Sequence, residues 1–230
     1  MPLLLPENYS SVTYERDEVG NAVNVKFYGV DGRLTLRSEG YAEIRREFNE
    51  LRQDVHDIYC DINSIPVITS MGYAEIRREY DSHGWVSRES YFDPYGNPLL
   101  LPLGYASSSF ERDDWGYPLV LRFYDLDGSP AIRTDGFSII HKTYDSEKNI
   151  ISESYYSPDE SPALCSSGFH KVDVQWNSLH KPLSFCYYGT DLEPTLISWG
   201  FFEERRTYNA DGTLNTRSYY NLNGNQLTPP

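Results

Sequence analysis

The 230 residues predict an all-β chain, an elongated array or solenoid of seven stacked 32-residue β-hairpin repeats, on three observations. Gly40, Gly72, Gly104, Gly136, Gly168 and Gly200 follow one another at intervals of 32, a period typical of repeat architectures. Each is followed by an aromatic residue (Tyr41, Tyr73, Tyr105, Phe137, Phe169, Phe201), and Tyr9 stands at the same phase near the start. Within a repeat, turn signals of the form D-x-x-G separate short segments rich in aromatic and β-branched residues, the pattern of strands joined by tight turns.

Positions are numbered from the aromatic, so the repeats run 9-40, 41-72, 73-104, 105-136, 137-168, 169-200 and 201-230 within a single domain spanning 1-230. In the best-preserved copy, Tyr73 to Gly104, Asp81-Ser82-His83-Gly84 and Asp93-Pro94-Tyr95-Gly96 supply the two turns. An Asp side chain accepts from backbone amides two residues on, and Gly takes the positive φ of a type I turn with a G1 bulge. Tyr73 to Tyr80 and Trp85 to Phe92 are then the two strands of a hairpin. A third extended segment follows the proline at position 26 (Pro66, Pro98, Pro130, Pro162, Pro194), which lacks an amide donor and belongs at a strand start or edge.

One segment competes with this assignment. Ile44, Phe48, Leu51, Val55 and Ile58 recur at helical spacing, and Arg52 and Ser64 replace the turn glycines. The strand reading prevails because Tyr41 to Glu47 repeats Tyr73 to Glu79 residue for residue and the register continues unbroken. A lone hairpin is marginal in water, so the repeats must cover one another, with aromatics at positions 1, 8, 19 and 20 as internal ladders. Residues 1-8 read as the tail of a truncated preceding repeat, because Met1 to Pro6 matches Asn97 to Pro102; the expectation is a piece of a longer protein.

The formal charge of -14 repels nucleic acid and anionic lipid, so neither is an expected partner. No apolar run approaches the roughly 20 residues of a membrane span. Two prolines within the first six residues interrupt any signal-peptide core, and Cys60, Cys165 and Cys186 leave an odd thiol, so a reducing, cytoplasmic setting is expected, at the inner face of the membrane if the parent protein holds it there.

A catalytic site needs different groups converging within hydrogen-bond reach, whereas a tandem array presents one group at equal intervals. The five histidines fall at five different repeat positions. There is no C-x-x-C, H-E-x-x-H, G-x-S-x-G, Walker loop or G-x-G-x-x-G, and Asp125-Leu126-Asp127-Gly128 lacks the spaced ligands of a calcium loop. No enzyme activity, metal or cofactor is expected. Two groups stand out as binding candidates. Trp85, Tyr95, Trp115 and Tyr117 are aromatics at turn positions, where a glycan or a partner chain could stack, although packing between neighbouring turns explains them as well. Arg45, Arg46, Arg77 and Arg78 place guanidinium groups at positions 5 and 6 of successive repeats, a candidate grip for phosphate or a phosphoglycan polymer. Pairing with Glu43, Glu75, Glu47 and Glu79 is the alternative.

At the turn the chain resembles the tyrosine-aspartate (YD) repeats of bacterial Rhs proteins and teneurins, through Arg78-Glu79-Tyr80-Asp81-Ser82-His83-Gly84 and the looser copy Arg206 to Gly212. It departs from their shorter period. Gly72-Tyr73-Ala74 through Pro98 is similar to longer G-Y-A-x-x-R-R-x-Y-D-x-x-G repeats appended to bacterial enzymes that build cell-surface glycopolymers. That resemblance implies a non-catalytic scaffold or glycan-contacting module beside a polysaccharide or teichoic-acid-type synthase. Its implied partners are a surface glycan or phosphoglycan, or an attached synthase domain. A protein-interaction module, homo-oligomeric or not, and a fragment of an Rhs-like toxin shell stay open beside it.

Overall fold

A computed structural model describes residues 6–228. Residues 1 to 5, which carry most of the match between Met1 to Pro6 and Asn97 to Pro102, lie outside the described residues. The hairpins are β1 (Ser11–Arg16) with β2 (Ala22–Tyr28), β3 (Glu43–Phe48) with β4 (Asp54–Cys60), β5 (Glu75–Tyr80) with β6 (Val86–Phe92), and β7 (Ser107–Arg112) with β8 (Pro118–Tyr124). They continue as β9 (Ile139–Tyr144) with β10 (Ile150–Tyr156), β11 (Lys171–Trp176) with β12 (Pro182–Tyr188), and β13 (Glu203–Tyr208) with β14 (Leu214–Tyr220), followed by β15 (Gln226–Leu227). These 15 strands are hydrogen-bonded in chain order in one antiparallel sheet, and the described residues contain no helix. The helical spacing in Tyr41 to Cys60 therefore yields to β3 and β4, as the repeat register requires. By contact density the chain falls into two compact units. The first holds the residues up to Ser109 together with Tyr124–Ser129, and the second holds Phe110–Phe123 and the residues from Pro130 onward.

The turns follow from their residues. In the first turn of the third repeat, Asp81 Oδ1 accepts from the amides of His83 and Trp85 at 2.9 and 3.0 Å, and the strand register shifts between Glu79 and Tyr80 at the bulge. Gly84 takes φ +84°. Where the glycine is lost the turn persists: Arg52, Ser64, Lys148, Glu160, His180 and Leu192 all adopt φ between 55° and 67°. A left-handed residue with a side chain costs roughly 1–2 kcal/mol. Five of the six offset this with a new contact. Arg52 Nε donates to Asn21 Oδ1, Ser64 Oγ to Glu43, and His180 Nδ1 meets Asn149 Oδ1; Lys148 and Glu160 pair with Asp113 and Arg122. The segment after the position-26 proline is shorter than a strand, a single bridge such as Cys60↔Pro66 or Phe92↔Pro98. A third turn follows it, closed at Gly72 N to Thr69 O (2.9 Å), and Ser70 N donates to Glu39 O of the preceding repeat at 2.8 Å.

Repeats join edge to edge. The amide at position 19 donates to the carbonyl at position 2 of the next repeat, as in Tyr59 to Ala74 and Tyr155 to His170, both 2.9 Å. Because alternate residues point to opposite faces of a sheet, positions 19 and 20 part company. Positions 1 and 19 interleave on one face. In the first unit Tyr9, Phe27, Tyr41, Tyr59, Tyr73, Tyr91 and Tyr105 form a run of rings with centroids 4.9 to 6.0 Å apart. In the second unit Phe123, Phe137, Tyr155, Phe169, Tyr187, Phe201 and Tyr219 do the same at 4.5 to 6.4 Å. Position 20 belongs to the opposite face, where cations cover it: Arg77 lies 4.0 Å from the Phe92 ring and Arg205 4.1 Å from that of Tyr220. Position 8 reaches back one repeat, with Tyr80, Tyr144 and Tyr208 Oη donating to the carbonyls of Asp54, Pro118 and Pro182 at 2.7 to 2.9 Å. Trp176 does the same through Nε1 to Ile150 O at 2.8 Å, so the bond survives a change of ring.

Two third-turn glycines separate backbone strain from crowding. A Cβ on Gly40 (φ +92°) meets nothing within 4 Å, whereas one on Gly136 (φ +104°) stands 2.7 Å from the Leu164 carbonyl oxygen. Gly40→Ala is expected to cost about 1–2 kcal/mol. Gly136→Ala is expected to cost more than about 3 kcal/mol, because the obstacle is backbone. Denaturant melts of the two variants measure the difference.

Candidate functional site

The sheet faces decide what the candidate arginines can do. Arg45 and Arg77 lie on one face and Arg46 and Arg78 on the other, so the four do not form a common basic ladder. The physical reason is the two-residue alternation of β3 and β5. Each guanidinium is also answered by a carboxylate. Arg45 Nε is 3.1 Å from Glu43, which is 1% exposed, and its Nη2 donates to Ser64 O at 2.9 Å; Arg77 Nη2 is 3.3 Å from Glu75. On the other face Asp57, 2% exposed, is shared by Arg46 Nε at 3.0 Å and Arg78 Nη1 at 3.1 Å. Asp54 Oδ1 lies 3.3 Å from Arg78, and Glu89 3.6 Å. Of the four acids that sequence pairing anticipates across neighbouring repeats, Glu43 and Glu75 meet arginine from within their own strand, and Glu47 and Glu79 enter no arginine pair among the described residues. Asp57 is the partner it misses, because it joins two repeats through β4.

Charge in this cluster is balanced internally. Burial, reinforced by the neighbouring Asp57 carboxylate, pushes Asp54 up to about 6 against the pull of Arg78 and Arg46. Burial of Arg78 opposes its charge, but Asp57 and Asp54 hold the guanidinium protonated more firmly than usual. The thiols are poor nucleophiles: burial pushes Cys60 and Cys186 each up to about 11, and Cys60 is fully enclosed. No three His, Cys, Asp or Glu residues stand close enough to hold a metal ion among the described residues. No helix among them is long and apolar enough to cross a membrane.

The four turn aromatics are also separated by the hairpin. Trp85 lies in a first turn, half-buried and stacked on His83 at 4.9 Å. Tyr95, 88% exposed, lies in a second turn, at the opposite end of the same hairpin. In the second unit Trp115 and Tyr117 share one cation, with Lys148 Nζ 5.2 and 5.1 Å from their rings, and Tyr117 packs on Tyr144 at 5.4 Å. Trp115 remains 74% exposed.

A different set of residues forms the most regular exposed feature. Position 28 is aliphatic in the first six repeats and Thr228 in the seventh. Leu36, Ile68 and Leu100 in the first unit are 41%, 47% and 42% exposed, and Ile132, Leu164 and Leu196 in the second are 61%, 48% and 45%. Met71 and Leu103 widen the row in the first unit and Trp199 in the second. Its charged neighbours are already paired, Arg37 with Glu39 at 3.3 Å and Arg133 with Asp135 at 2.7 Å. Both guanidinium groups cover ladder rings, Arg37 over Phe27 and Arg133 over Phe123. The signal was legible in the sequence as six aliphatic residues spaced by 32, but an aliphatic position in a repeat reads as core until the face is known.

No family profile and no curated protein sequence matches this chain. Among solved structures, a Photorhabdus luminescens Tc holotoxin pore aligns over 94% of this chain at 9% identity with a TM-score of 0.23. A TcdB2-TccC3 crystal structure aligns over 96% at 13% identity with a TM-score of 0.25, and a TcdB2-TccC3-TEV structure over 94% at 13% with 0.21. This chain spans 13%, 14% and 15% of the length of those three chains. Likeness at such TM-scores bears on nothing further here.

The raised Asp54 carboxyl sets a pH dependence with a definite sign. A carboxyl that binds its proton more tightly folded than unfolded lowers stability as pH rises from about 4 through about 6, after which the loss is complete. Asp54→Asn is therefore expected to raise the melting temperature more at pH 7 than at pH 5. Parallel thermal melts at the two pH values check it.

Proposed function

We propose that this chain is a non-catalytic repeat scaffold whose position-28 row in the first unit (Leu36, Ile68 and Leu100) seats another protein surface, a second copy of the chain being the partner that fits best. The exposed aliphatic row carries the reading. Exposed apolar surface rimmed by polar residues marks interaction sites, and this row recurs at one repeat position on a chain of net charge -14. A second copy fits because its row has the same spacing, so two rows match in register without further design, as an isologous contact requires. Self-association of this kind strengthens with salt, which screens the repulsion between two chains of charge -14.

The resemblance to repeats appended to glycopolymer-building enzymes supports placing this scaffold beside a synthase, and the Tyr-Asp turns support a place in an Rhs-like shell as the alternative. A glycan-contacting role has its own support in the exposed rings of Trp115 and Tyr95. Tryptophan quenching by a panel of surface glycans and phosphoglycans, lost in Trp115→Ala, distinguishes that role.

The scaffold reading is tested by sedimentation velocity. The wild type is expected to associate with rising concentration and salt. The triple variant Leu36→Ser, Ile68→Ser, Leu100→Ser should remain monomeric while melting within about 3 °C of the wild type, because half-exposed side chains contribute little to the core. A wild type that stays monomeric under all conditions, or a variant that associates equally, rejects the row as the contact surface.

A further inference from the structure

Three successive repeats answer position 16 with position 3 of the next repeat, and the third answer is incomplete. Asn24 Nδ2 donates to Glu43 Oε1 at 3.0 Å, and His56 Nε2 lies 3.0 Å from Glu75 Oε2. At the same place Arg88 Nη2 donates at 2.8 Å to Ser107 Oγ, a hydroxyl where the two neighbours have a carboxylate. Arg88 rests 4.7 Å from the Tyr124 ring and enters no ion pair among the described residues. A full guanidinium charge thus meets only a neutral acceptor.

The space the missing carboxylate would fill is present. A notch of 210 Å³ opens between Arg88, Phe92, Pro98, Ser107 and the turn Asp125 to Gly128. In the second and third repeats the residue at position 24 lies against the side chains at positions 3 and 5. Ser64 contacts Glu43 and Arg45, and a Cβ on Gly96 would stand 3.8 and 3.9 Å from Glu75 and Arg77. Here the side chains at positions 3 and 5 are Ser107 and Ser109, and a Cβ on Gly128 meets nothing within 4 Å. The shortened side chains leave a gap that the second and third repeats fill with a Glu–Arg pair.

We infer that this notch binds a single carboxylate group through Arg88 and Ser107. A carboxylate fits a guanidinium and a hydroxyl donor, and the charge-assisted bonds that result are stronger than neutral ones. The lining itself restricts the rest of the ligand. Asp125 and Asp127 direct an oxygen each to backbone amides, Leu126 N at 2.6 Å and Ser129 N at 2.9 Å, and line the turn side of the notch. They repel phosphate and dicarboxylates, so the ligand is a monocarboxylate on a neutral or cationic body. This inference stands apart from the position-28 row and survives if that row has no partner.

The probes are N-acetylglutamate N-methylamide, which presents a side-chain carboxylate, and N-acetylalanine, which presents a terminal one; the glutamine counterpart of the first is the uncharged control. Titrations of the full chain are followed by amide chemical shifts at Ser107 and Gly128. Saturable shifts with at least one carboxylate, absent with the amide and in Arg88→Gln, are expected, and the better probe identifies the source. Ser107→Glu supplies the carboxylate from within: it should raise the melting temperature and abolish the response. The inference fails if neither carboxylate shifts these amides, if the amide control shifts them equally, or if Ser107→Glu lowers the melting temperature and leaves the response intact.

Discussion

Everything in this chain depends on the pairing of one hairpin with the next. A two-stranded hairpin cannot shield its apolar face, and here no second layer of helices or strands is present among the described residues to do so. Positions 16 to 18 of one repeat therefore pair with positions 3 to 5 of the next, as Asn24, Val25 and Lys26 do with Arg45, Ile44 and Glu43. That register places ring against ring along one face and sets the buried acids against the arginines. It also fixes why the period tolerates no insertion: a slip of one residue would exchange the two faces and expose every ladder ring.

The same constraint explains how polar groups come to be buried in so thin a structure. Glu43, Asp57, Glu203 and Glu204 are all nearly enclosed, which is costly for lone charges. Glu43 and Glu203 meet Arg45 and Arg205 two residues on in the same strand. Asp57 meets Arg46 across the hairpin and Arg78 across the repeat boundary, and Glu204 meets Arg206 in its own strand and Arg217 across the hairpin. The pairs that cross strands, Asp57 with Arg46 and Arg78 and Glu204 with Arg217, act as a second set of register marks beside the rings. Where the position-3 acid gives way to Ser107, the backbone pairing holds and a cavity results, so a repeat can depart from its pattern locally without losing the fold. Loss of turn glycines follows the same logic: the left-handed backbone at Arg52 or His180 is retained because the new side chain bonds to the preceding turn.

Aromatic content is divided between two tasks that composition cannot separate. Rings at positions 1 and 19 build the ladder, while those at position 20 serve as platforms for Arg77, Arg88 and Arg205. Position 8 contributes a hydrogen bond more than a ring, which is why Trp176 substitutes for tyrosine there. Few rings are left for solvent, Tyr95 and Trp115 foremost, and the most regular exposed surface is aliphatic instead.

The sequence alone determined the period, the strands, the turns and the absence of a helix in Tyr41 to Cys60, because each follows from local chemistry repeated at a fixed interval. D-x-x-G dictates its own turn, and a segment matching its neighbour residue for residue must share its conformation. What only the tertiary structure decided is which face each side chain joins and what lies opposite it. Arg45 and Arg46 are adjacent in the chain and separated by the sheet, and Trp85 and Tyr95 sit ten residues apart at opposite ends of one hairpin. Asp57 finds its second arginine only through inter-repeat pairing. Position 28 reads as core until the third turn carries it outward. Strand alternation and edge pairing are long-range facts, and a candidate site is a statement about proximity, which residue spacing along a strand leaves undetermined.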